Sequence, residues 1–128
     1  MRKATRLFLL VEGISFVVAS LVHSGVLIDG YEHQQAAIAE STIAVVLLVG
    51  CGLTWVWPAR TRLIGIAAQA FALLVTLVGA FTIAIGVGPR TVPDIAYHVA
   101  ILVVLVAGLV VVMRAPATGR TRTSGGIG

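Results

Sequence analysis

The chain has 128 residues, of which 59% are hydrophobic and only 11% charged, and its mean hydropathy is +1.06. Ordinary globular chains carry about 25% charged residues, so too few charges are present here to cover a water-facing surface, and composition excludes most soluble enzymes in favour of a lipid-bilayer partner. The net charge of +4 comes from basic residues clustered at the edges of apolar runs, so no nucleic-acid partner is expected, and the lone Cys51 excludes a disulfide framework or a cysteine zinc site within the chain.

Charges divide the chain into four apolar runs. Crossing the hydrocarbon core takes about 20 mainly apolar residues at 1.5 Å of rise each. The runs predict spans at 7–28, 37–57, 63–87 and 95–113. Strands are disfavoured, because Ala, Leu and Gly are plentiful and the polar/apolar alternation of an outer-membrane barrel is missing. Pro58 closes the second span, and Gly86, Gly88, Pro89 and Pro93 punctuate the link between the third and fourth. Links this short make successive helices antiparallel neighbours. The fold class read from the chain is therefore an all-α integral membrane protein, an up-down-up-down four-helix bundle occupying 1–113 as one domain. The remainder, 114–128, reads as a disordered cytoplasmic tail.

Orientation follows from the basic residues. Arg2, Lys3 and Arg6 precede the first span, Arg60 and Arg62 separate the second from the third, and Arg114, Arg120 and Arg122 follow the fourth. Eight of the nine basic residues thus share one face, with Arg90 alone opposite. The positive-inside rule makes that face cytoplasmic and gives a multi-pass protein of the cell membrane with both termini inside. Trp55 and Trp57 then fall at the inner interface, and Tyr31 and Tyr97 at the outer one. Val18-Ala19-Ser20 looks like a signal-peptide cleavage site, but Glu12 within the apolar stretch argues against that reading.

Polar residues are shared unevenly. All three histidines and four of the five carboxylates lie at or near the outer face. His23, Glu40 and His98 occupy one outer layer on the first, second and fourth spans, which neighbour one another in such a bundle. Two imidazoles and a carboxylate suit a transition metal such as zinc, copper or iron, and two facing histidines suit a haem. No metal-binding motif accompanies them; the competing reading is that the histidines bond neighbouring helices while Glu40 and Asp94 sit near helix N-termini, with Asp94 as an ordinary N-cap. His33 reads as a solvated loop residue.

Glu12 lies eleven residues before His23 and thus on the same face of the first helix, with Ser15, Ala19 and Ser20 along or beside the line. An acidic group at mid-membrane costs about 2.5–3.5 kcal/mol, so this stripe should face the bundle interior. Gln69 on the third span lies at similar depth and suits a hydrogen bond to Glu12, which makes the pair a candidate proton-binding site. The alternative is that Glu12 reaches the interface and pairs with Lys3 or Arg6. Ala68, Ala72, Thr76, Ala80, Ala84 and Gly88 place a small residue at every fourth position of the third span, a ridge suited to close helix packing. Cys51 reads as a small core residue.

Three functions compete. One is a non-catalytic, helix-packing membrane module or accessory subunit, in a homo-oligomer or a larger membrane complex. The second is a metal- or haem-binding redox or carrier protein using His23, His98 and Glu40. The third is a proton-coupled small-solute transporter using Glu12. No nucleotide-binding or hydrolase motif is present, which leans against an enzyme.

Overall fold

A computed structural model describes residues 1–117. Four helices account for most of it: α1 (Arg2–His23), α2 (Gln34–Val56), α3 (Thr61–Ala84) and α4 (Val92–Arg114), with a single 3-10 turn at Pro58–Arg60. Among the described residues there is no strand. All four helices are long and apolar enough to cross a membrane. Arg114 closes α4 rather than opening the tail, and 118–128, most of the expected disordered segment, lie outside the described residues.

Two helices stop earlier than their apolar runs do. The first was expected to reach Ile28 but ends at His23, because Gly25 adopts a left-handed conformation with φ of +76°. The amide of Gly25 then bonds the carbonyl of Val22, and that of Val26 reaches back to Leu21. This is a Schellman cap, which only a residue tolerant of positive φ enters cheaply. The third helix ends the same way: Gly86 has φ of +85°, its amide bonds Ile83, and Val87 bonds Thr82. Both runs stay apolar beyond the cap, so hydrophobicity alone overshoots.

Hydrogen bonds fix the packing. Arg6 near the start of α1 bonds Thr54 near the end of α2, whereas Ser20 near the end of α1 bonds the carbonyl of Ala37 near the start of α2. The two helices are therefore antiparallel. Arg62 at the start of α3 bonds the carbonyl of Met113 at the end of α4. At this basic end the arginines of α1 and α3 meet the C-terminal carbonyls of α2 and α4, where a positive charge opposes the negative pole of the helix dipole. Arg6 also stacks over the Trp55 ring, 3.9 Å from its centroid.

Leu9, Leu47 and Leu105 are fully buried and form the core with Phe16, Ile43 and Ile101. Cys51 is buried among them. The ridge on α3 works over half its expected length. Ala68, Ala72 and Thr76 are buried, and a Cβ on Gly50 of α2 would stand only 3.1 Å from that of Ala68. Beyond them Ala80 is half-buried, Ala84 is exposed and Gly88 lies past the helix end, so the upper part of the ridge packs against little. In the α1–α2 turn, the Glu32 carboxylate takes the Gly30 amide at 2.9 Å. Its own backbone amide and that of Gly30 hold this carboxyl below the usual glutamate range.

Candidate functional site

The buried carboxylates, histidine and glutamine gather in two places, one at the acidic end of the bundle and one near its middle. At the acidic end, His23 sits between two carboxylates. Its Nδ1 lies 2.7 Å from Glu40 Oε2 of α2 and its Nε2 lies 3.0 Å from Asp94 Oδ1 of α4. All three side chains are buried. The loop after α1 is tied down as well, with the His33 amide donating to the His23 carbonyl at 2.8 Å.

Asp94 is held by its own helix start. Thr91, not Asp94, is the N-cap of α4: its hydroxyl accepts the Asp94 amide, while the Asp94 carboxylate accepts the Thr91 amide and hydroxyl. This capping box uses one carboxylate oxygen and leaves the other for His23. The sequence carries the signal in Thr91-x-x-Asp94, with Pro93 in the first turn. His33 is likewise a cap and not a free loop residue, since its Nδ1 accepts the Ala36 amide at the start of α2.

The expected trio of His23, Glu40 and His98 is brought together in part. His23 and Glu40 are bonded, but the third member of the network is Asp94. His98 turns its Nδ1 to the backbone carbonyl of Asp94, 2.8 Å away. Both ring nitrogens of His23 face carboxylates, so a metal at His23 would have to displace one of them. Among the described residues no group of three His, Cys, Asp or Glu side chains is disposed to hold a metal ion.

Near the middle, Glu12 of α1 is fully buried and accepts a hydrogen bond from Gln69 Nε2 of α3 at 2.5 Å. Glu12 does not reach Lys3 or Arg6; Arg6 is committed to Thr54. Because α1 starts at Arg2, Glu12 is about 15 Å along it by helical rise, deeper than its place in the expected span implied. The pair packs on Gly108 of α4. A Cβ there would stand 2.6 Å from Gln69 Nε2 and 2.8 Å from Glu12 Oε1, so the missing side chain makes the space the pair occupies. Gly108 is the one glycine in α4, and that is the mark the site leaves in the sequence of this helix. Glu12 Oε1 and Gln69 Oε1 are buried without a hydrogen-bond partner.

Between the two places, the polar stripe of α1 is used residue by residue. Ser15 bonds the Tyr97 hydroxyl at 3.2 Å, and Ser20 bonds Ser41 at 2.6 Å. Tyr97 thus turns inward, edge-on to Phe16 with centroids 6.2 Å apart, and does not stand out as an interfacial anchor. Comparison with protein-family models, with curated proteins and with solved structures finds no match for this chain.

Proposed function

We propose that this chain is a multi-pass integral membrane protein, an up-down-up-down bundle with both termini in the cytoplasm, serving as a helix-packing module or accessory subunit. The observation that carries this reading is inverted polarity. Glu12, His23, Glu40 and Gln69 are buried, while large apolar residues such as Leu7, Ile14, Val45, Leu74 and Val103 are exposed. In water this arrangement would leave an apolar surface on every helix. In lipid it needs no further cover, and buried polar contacts between helices become the specific glue. The distribution of arginines supports the orientation.

The test is membrane extraction with labelling. The chain should stay with membranes at alkaline pH. A membrane-impermeant maleimide applied to intact cells should label a cysteine introduced as Gln35→Cys but not one introduced as Lys3→Cys. Release into the aqueous phase, or labelling at position 3, overturns the reading. A Soret band or stoichiometric metal in gently extracted protein, lost in His23→Ala, would replace the packing role with a redox or carrier role.

A second reading, a proton-coupled carrier of small solutes acting through Glu12, is favoured by the two unpartnered oxygens of the central pair. A proton on Glu12 Oε1 turns that atom into a donor, and Gln69 Oε1 is the acceptor left over. Protonation would thus give the pair a donor and an acceptor beside the Nε2–Oε2 bond already in place. Infrared spectra should then contain a protonated-carboxyl stretch at neutral pH that is lost in Glu12→Gln, and transport should lose its proton coupling in that variant. A spectrum with no such band removes this reading.

A further inference from the structure

The acidic end leaves two lone pairs unused. Glu40 is 4% exposed, and with Oε2 bonded to His23 its Oε1 has no hydrogen-bond partner. His98 faces the Asp94 backbone carbonyl through Nδ1, and since a carbonyl only accepts, Nδ1 carries the proton. A ring carrying that one proton presents Nε2 as an acceptor. That nitrogen stands against α3, 3.6 Å from where a Cβ on Gly79 would lie. Glu40 and His98 line the same cavity, of about 170 Å³, whose walls include Phe16, Ile43, Val75 and Ala39. Such a volume is several times the ~30 Å³ of a water molecule and similar to the ~150 Å³ of an apolar cavity that holds benzene.

The charges around it do not cancel. Asp94 accepts from the Thr91 amide and hydroxyl as an ionised carboxylate does. His23 bonds both carboxylates whether the shared proton rests on its Nδ1 or on Glu40 Oε2, and the net charge of the trio is the same in both cases. Glu40, His23 and Asp94 together then carry one uncompensated negative charge. His33 is the other titratable group on the cavity wall, and its Nδ1 is already used as a helix cap.

We propose that this cavity binds a small organic cation, an ammonium head with N–H donors joined to a short apolar body. The head sits between Glu40 Oε1 and His98 Nε2, and the body lies against the apolar walls. Two acceptors and a surplus negative charge call for a cationic donor, and two protein ligands are too few for a tight metal site. The site is distinct from the Glu12–Gln69 pair and does not depend on either functional reading above.

Two isomeric probes test it: n-butylammonium chloride, which has N–H donors, and tetramethylammonium chloride, which has the same formula and charge but none. Binding to the full chain in nanodiscs is followed by the ¹⁵N resonance of His98 Nε2. Butylammonium should shift it saturably, and tetramethylammonium should bind about tenfold or more weakly, the loss of one charge-assisted hydrogen bond. Glu40→Gln should weaken butylammonium most. Because that change also touches the His23 contact, Ala39→Leu is the companion variant: it fills the cavity, leaves the His23 contacts alone, and should abolish binding while the melting temperature holds. The proposal is overturned by equal binding of the two isomers, by unchanged binding in Ala39→Leu, by no saturable shift at all, or by a response to zinc chloride alone.

Discussion

Glu12 and Glu40 are both buried carboxylates on apolar helices, yet their surroundings differ. Glu40 stands two turns into α2, near a helix end, where an imidazole and, through it, a capping box are within reach. Its partner His23 is shared with Asp94, whose remaining oxygen is satisfied by Thr91. Glu12 stands mid-helix, where every nearby backbone group is spent on its own helix. Only a side chain from another helix can serve it, and it has one donor, Gln69, with one oxygen on each residue left over. Helix ends can support ionic networks because they supply spare backbone groups; helix middles supply side chains alone. Each glutamate keeps one unpartnered oxygen, but the end site spreads its other bonds over three side chains and a cap, whereas the middle site is a single pair.

Breaking the end site should cost most. His23→Leu removes the imidazole that bonds two buried carboxylates and should destabilise the bundle by about 3–5 kcal/mol, measured by unfolding in mixed detergent micelles. A change under about 1 kcal/mol would mean that the carboxylates are not ionised partners. At the middle, Gly108→Ala should cost about 1–3 kcal/mol by overpacking. Its Cβ falls within 3 Å of both members of the pair, so the same variant should also shift any Glu12 infrared band.

Smaller effects sharpen the contrast. Thr91→Ala should cost about 0.5–2 kcal/mol as a lost cap, and because Thr91 also holds Asp94, it should move the His23 ring resonances. An unmoved His23 would uncouple cap from network. Tyr97→Phe removes a neutral hydrogen bond to Ser15 and should cost about 0.6 kcal/mol, the average for interhelical polar pairs in membranes, without affecting either site.

Much of this was legible in the sequence. Runs without charge located four helices, and matched depth brought Gln69 to Glu12, because distance along a helix converts directly into height. The pairing of His23 with Asp94 was not legible, since no periodicity relates residues on α1 and α4, and Asp94 looked like a cap in its own right. The end of α1 is not legible, because Val26–Ile28 stay apolar past the glycine that stops the helix. The upper half of the α3 ridge packs against little, since small residues permit close packing but do not require it.

The central claim is that polarity points inward and the apolar circumference meets lipid. Spin labels at Leu74 and Val103, which are 63% and 65% exposed, test it in liposomes through collisions with oxygen and with a water-soluble nickel chelate. Oxygen should dominate at both positions, and the chelate should dominate at Glu32 and Arg90 in the turns. Free access of the chelate to Leu74 and Val103 would contradict the account.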